Sequence, residues 1–260
     1  MTYVRWTAAL LAWVVLSVQA VLAAPLQMTL YLDNEARQFL YEANQQILIV
    51  LPVPASQDNA VVVAMALDPP LADSTTLLFE LDAELYVANG RVVPLGVIAI
   101  GLAQQVAAGQ IYSFNGQRIN GDGDGFEGHV CVYFDAPRNA LPVTVGMAGY
   151  IYDRAQGKPT QPSPTNFFIL QMFQTQIIAR TTAQVWVLVG SGISAGSVLP
   201  KSILRPVVPT ADSAGDALAA SSNLQLGRYR EVMLGGSNRT SLHYDPAISA
   251  FSEGPYPADR

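Results

Sequence analysis

Three short stretches of this chain carry side chains whose types and spacing can do chemistry. The first is Asn120-Gly-Asp122-Gly-Asp124-Gly125. Oxygen-bearing side chains at alternate positions, with glycine between them, match the opening of a calcium loop. Ca2+ takes about six to eight oxygen ligands, and glycine allows the sharp turn that gathers them. An EF-hand loop counted from Asn120 would need a bidentate Glu where Cys131 stands, so the closing ligand must come from elsewhere, with Glu127 nearest. Asn120, Asp122, Asp124 and Glu127 are therefore the expected metal site, for a Ca2+ ion in a structural role. The alternative is plain turn chemistry in a solvated loop.

The second stretch, Gly192-Ile-Ser194-Ala-Gly196, fits the G-x-S-x-G pattern of a nucleophilic serine and follows an apolar run, Gln184 to Val189. That mechanism needs a helix starting at the serine, and Pro200 interrupts one. His243 is the downstream histidine, and Asp212 or Asp216 completes the order Ser, Asp, His. The third stretch places Glu80, Asp82 and Glu84 on one face of an alternating segment. Carboxylates of a glycosidase must flank a substrate, whereas neighbours on one strand face suit a solvated surface that discourages edge pairing. His129 and Cys131 share a face with Tyr133 on another alternating segment. Zinc sites draw on several Cys or His ligands, and the chain has one Cys and two His, so a strand histidine and a buried thiol are expected there.

These residues are carried mainly on strands. Phe79, Leu81, Ala83, Leu85 and Val87 alternate with Glu80, Asp82, Glu84 and Tyr86, which predicts a half-buried strand with Tyr86 on its wet face. Val130/Val132/Phe134, Val143/Val145/Met147 and Val185/Val187/Val189 repeat the period. Ile47 to Val53, Ala60 to Ala66 and Val92 to Ile100 read as more fully buried strands, and Phe167 to Ile178 as a central strand bent near Gln174. Asp68-Pro-Pro70, Asn89-Gly90, Asn115-Gly116 and Gly157-Lys-Pro159 supply breaks. One helix is predicted, capped by Asp33 or Asn34 and running from Glu35 to Asn44, and Leu102 to Ala108 reads as a second short helical turn. The expected fold class is mainly β, an antiparallel β-sandwich of jelly-roll or Ig-like topology with one short N-terminal helix.

Arg5 followed by the uncharged run Trp6 to Ala23, with small residues before Pro25, is the layout of a cleavable signal peptide over residues 1–23. The expected organisation is then a β domain over 24–210 and a loop or linker with a C-terminal segment over 211–260, ending in a loose tail from Ser252. Removing Arg5 takes the formal net charge from −6 to −7. An acidic chain whose lysines are Lys158 and Lys201 lacks the cationic patch that nucleic acid requires. The sparse catalytic equipment leads to a non-catalytic expectation. It is a secreted or periplasmic binding or structural module with a protein or glycan partner or a copy of itself, free of the membrane once the leader is cut. A secreted serine hydrolase using Ser194 is the first alternative, and a membrane-active β protein the second.

Overall fold

Residues 26–52, 59–88, 90–136, 140–179, 181–207, 225–235 and 240–256 are described by a computed structural model of the chain. The signal-peptide segment, Asn89, Asp212, Asp216 and most of the expected linker lie outside these residues. Within them the protein is mainly β, with several sheets and one α-helix.

In chain order the first elements are β1 (Leu26–Tyr31), α1 (Asn34–Glu42), β2 (Gln46–Leu51), β3 (Ala60–Leu67) and β4 (Ser74–Ala88). β5 (Ile100–Gln105), β6 (Gln110–Phe114), β7 (Ile119–Asp124), β8 (His129–Phe134) and β9 (Val143–Asp153) follow. Then come β10 (Ser163–Pro164), β11 (Phe168–Leu170), β12 (Thr175–Ala179), β13 (Gln184–Gly190) and β14 (Val198–Pro200). β15 (Arg230–Met233), β16 (Thr240–Asp245) and β17 (Ala250–Glu253) complete the series.

Three sheets result. The large one is ordered β10-β9-β4-β1-β16-β17, with β11 also on β9 and β5 on β4. The second is β14-β3-β2-β13-β15 and the smallest β12-β8-β6-β7. Neighbouring strands run antiparallel except at β1–β16 and β6–β8, which are parallel. β1 sits between β4 and β16, so the first described strand pairs with one from the C-terminal end of the chain. The expected C-terminal segment thus contributes β15 to the second sheet and β16–β17 to the large one.

Helix α1 begins as its sequence dictates. The Asp33 carboxylate accepts the Ala36 N–H at 2.7 Å, satisfying one of the donors a helix start leaves free, and Glu35 lies in the positive first turn. Ala36 and Leu40 are buried, while Phe39 stays partly exposed. They join Met28, Leu30, Ile49, Val187 and Phe251 in the core between the large sheet and β2–β13. A second core, with Leu85, Val87, Val132, Phe134 and Met147, lies between the large and smallest sheets.

Several expectations change. Tyr86 is buried rather than wet, because its face of β4 is covered: Tyr86 and Ala88 pack with Ala60 and Val62 of β3, Val198 of β14 and Phe167, while Leu85 and Val87 stay buried on the opposite face. Val92 to Ile100 is no buried strand. Pro94 and a left-handed Leu95 break it, and Val93 and Val97 are exposed. Leu102 lies in strand β5, not in a helical turn. Phe167 to Ile178 is two strands on different sheets, separated by a turn at 171–174 in which Phe173 has φ +63. The tail as far as Tyr256 is fastened, since the Tyr256 hydroxyl accepts the Asp33 N–H at 3.0 Å and donates to the Tyr244 carbonyl at 2.9 Å.

Candidate functional site

Asn120 to Asp124 forms β7, an edge strand of the smallest sheet, rather than a loop. The strand is bulged at Asp122: the β6–β7 register shifts between Ile111 and Tyr112 and Gly123 has φ +127, so Asn120 pairs with Ser113, Asp124 with Gln110, and Asp122 lies in the bulge between them. Asn120, Asp122 and Asp124 are exposed, and Asp124 Oδ1 accepts from Gln110 Nε2 at 3.2 Å. Glu127 lies in the following turn, where its carbonyl oxygen accepts from His129 Nδ1 at 2.9 Å. Among the described residues no three His, Cys, Asp or Glu side chains gather as a metal-ligand group.

Ser194 lies in the turn between β13 and β14, and strand β14, not a helix, comes next. Gly192 and Gly196 have φ +70 and +84, and a Cβ on Gly196 would come within 3.0 Å of the Ile98 carbonyl oxygen. The glycines are explained by the turn itself. The Ser194 hydroxyl is 3.5 Å from Ser197 Oγ. His243 is on β16 in the large sheet, buried against the Tyr256 ring, and its Nδ1–H donates to the Gly254 carbonyl at 3.0 Å. No hydrogen bond joins Ser194 to His243 among the described residues, and a general base must come within about 2.6–3.2 Å of its nucleophile. Asp212 lies outside the described residues.

The three β4 carboxylates are drawn into surface contacts that sequence reading missed. The Tyr150 hydroxyl donates to Glu84 at 2.6 Å and the Tyr152 hydroxyl to Glu80 at 3.0 Å. Lys158 Nζ is 2.5 Å from Glu80 Oε2 and lies over the Tyr150 ring, 3.9 Å from its centre. The Lys158 ammonium holds the Glu80 carboxyl below its ordinary range, and the bond to Glu84 pushes the Tyr150 phenol up to about 12. Asp82 accepts the Thr181 N–H at 2.6 Å and also the Thr181 hydroxyl. These groups satisfy one another. A cavity of about 60 Å3 beside Asp82, lined by Val130, Met147 and Ile178, is far smaller than the roughly 300 Å3 at which small-molecule sites begin. A wider open cleft lies between Asp33, Glu35, Asp245 and Tyr256, where the Asp33 and Asp245 carboxylates accept the N–H groups of Ala36 and Ala247.

The smallest sheet offers a different kind of site. Its inner face, with Val130, Val132, Phe134 and Ile178, is buried in the second core. On its outer face Ile177 is paired with Cys131 and Cys131 with Ile111, an apolar row across three strands. Tyr133 lies beside that row. Cys131 is only 2% exposed, whereas Ile177 is 44% exposed. Phe173, just before β12, and Phe126, just before β8, are 53% and 63% exposed.

The two edges of this sheet differ. β7 carries Asp122 and Asp124, charges of the kind that protect an edge from unwanted pairing. β12 reads Thr-Gln-Ile-Ile-Ala, and no Asp, Glu, Lys, Arg or His occurs anywhere from Pro159 to Ala179. That long uncharged run was the signal available in the sequence. Its reading as a central strand hid the fact that β12 is an edge.

Comparisons of the chain with family models, with curated proteins and with solved structures give no match.

Proposed function

We propose that the protein is an exported, non-catalytic β-sandwich module, secreted or periplasmic after removal of residues 1–23, which binds its partner along an open strand edge. The observation that carries this reading is the asymmetry of the smallest sheet. One edge is guarded by Asp122 and Asp124, while the other, β12, is uncharged, carries exposed Ile177 and is preceded by exposed Phe173. An unguarded edge offers backbone donors and acceptors to an added strand, and the side chains at alternate positions set selectivity. Aromatic side chains beside such an edge supply apolar contact at low entropic cost.

The sandwich reading is supported by two layered cores, one between the large sheet and β2–β13 and one between the large and smallest sheets. No helix among the described residues is long and apolar enough to cross a membrane. The net acidic charge argues against a nucleic acid partner.

The experiment compares the purified exported protein with its Ile177→Lys variant for complex formation with exported proteins, glycans and itself. A complex that Ile177→Lys loses while its circular dichroism is unchanged supports the reading. A complex held equally by both proteins contradicts it, as does turnover of an ester that is lost in Ser194→Ala.

A further inference from the structure

We propose that the occupant of the β12 edge is a second copy of this chain, with the two β12 strands antiparallel about a two-fold axis at Ile177. The inference rests on the edge reading above and names its partner.

The register decides which backbone groups are available. The Phe134 N–H donates to the Gln174 carbonyl at 3.1 Å, next to the Thr175–Tyr133 pair. In an antiparallel ladder that makes Thr175–Tyr133 a pair without mutual hydrogen bonds. Gln176 and Ile178 then bond to β8, and the N–H and C=O groups of Thr175, Ile177 and Ala179 turn outward. The Gln176 side-chain amide donates to the Ile177 carbonyl at 2.8 Å, a local cap that an incoming N–H can replace.

The sequence of β12 is compatible with itself. A two-fold at Ile177 sets Thr175 opposite Ala179, Gln176 opposite Ile178 and Ile177 opposite its own copy. Each outward N–H of one copy then meets an outward carbonyl of the other. No like charges oppose, and β-branched residues meet in the centre, a favourable cross-strand pairing. The outer row Ile111–Cys131–Ile177 continues into the same row of the second copy, giving one sheet of eight strands. The same symmetry carries Phe173 of each copy to the Ala179 end of the other, where Phe126 enters β8.

Charge does not bar a copy at this edge. Acidic chains repel one another over most of their surface, and β12 is where they can approach without opposing charges. A basic partner would find its complement on β7, not here. A shared strand edge with the same patch on both subunits is an isologous interface, the commonest route to a closed dimer.

The test joins sedimentation with register-specific cross-linking. Wild type is expected to pass from monomer to dimer as concentration rises, and Ile177→Lys to stay monomeric with an unchanged melting temperature. Thr175→Cys and Ala179→Cys proteins are mixed and treated with a short bifunctional thiol reagent, with wild-type protein as the control for Cys131. Thr175 and Ala179 of opposite copies lie about 5.5 Å apart, whereas two Thr175 positions are separated by roughly four residues or about 13 Å. Cross-linking between the two variants and not within either one supports the proposal. A monomer at every concentration overturns it, as does a dimer that survives Ile177→Lys or a Thr175→Cys protein that links to itself equally well. If wild type stays monomeric yet binds another exported protein or glycan through Ile177, the second copy is excluded and the edge reading stands. If Ile177→Lys alters no interaction at all, both fail.

Discussion

Replacing Tyr86 with Phe probes the contact that fixes the approach to β12. Tyr86 is fully buried, and its hydroxyl donates to the Asn166 carbonyl at 2.6 Å. Asn166 is itself 1% exposed, and its side-chain oxygen accepts the Met147 N–H at 2.7 Å. Gly146 lies between them, and a Cβ there would fall 2.3 Å from the Asn166 carbonyl oxygen and 2.8 Å from Tyr86 Cε1. Together these residues hold segment 163–170 on β9, and that segment leads through the 171–174 turn into β12. Phe keeps the ring packing and removes a single buried hydrogen bond, leaving the carbonyl one partner short. The expected cost is about 1–3 kcal/mol. A chain of this size loses about 2–4 °C of melting temperature per kcal/mol, so a loss of about 2 kcal/mol appears as roughly 4–8 °C. Gly146→Ala must force β9 away from backbone and costs about 3 kcal/mol or more. Urea and thermal unfolding followed by near-UV circular dichroism measure both. A Tyr86→Phe protein as stable as wild type would refute the reasoning.

Alkaline pH should destabilise the fold. Burial raises the Tyr86 phenol well above its ordinary value and the Tyr244 phenol to about 12. A raised folded pKa means stability that is full below about pH 10 and is lost as pH rises from there toward the folded values. Unfolding measured from pH 8 to 12 should show this decline, and Tyr244→Phe should make it shallower. Lys158→Met is expected to cost under about 1 kcal/mol, because an exposed ion pair contributes little; its contribution in wild type should fade in acid, as pH falls through the lowered Glu80 pKa, which acid titration of both proteins checks. Ser194→Ala should leave melting temperature and partner binding unchanged, and wild type should not react with a fluorophosphonate probe. Calcium at millimolar concentration should move the melting temperature by less than about 1 °C, since no three carboxylate, thiol or imidazole side chains gather there among the described residues; a larger rise abolished by Asp122→Ala/Asp124→Ala would establish the metal site.

Local chemistry in the sequence led correctly to several elements. The Asp33 cap, the alternation of Val130, Val132 and Phe134, and the apolar runs of β2, β3 and β13 are each decided by neighbours a few residues away. What could not be read depends on distant partners. Met28 lies beside Thr240 in a parallel pair, and no local pattern announces that closure. The alternation of β4 suggests a wet face at Tyr86, but β3, β14 and Phe167, distant in sequence, cover that face. Val92 to Ile100 is apolar in composition yet is broken by Pro94 and Gly96, so several of its side chains face solvent. At the site, the letters of Asn120 to Asp124 suit a calcium loop, and no local pattern announces that pairing with β6 places them on a bulged edge strand. β12 looked central because its residues are uncharged and apolar. Its edge position follows from the turn at 171–174, which moves the chain from the large sheet to the smallest.

Residue-resolved amide exchange over β12 tests the central claim most directly. In dilute protein the Gln176 and Ile178 amides should be protected and those of Thr175, Ile177 and Ala179 should exchange rapidly, with the latter three gaining protection when the edge is occupied at high concentration or by an added partner. Uniform protection along β12 in dilute monomer, or rapid exchange at Thr175, Ile177 and Ala179 under every condition, would contradict the account.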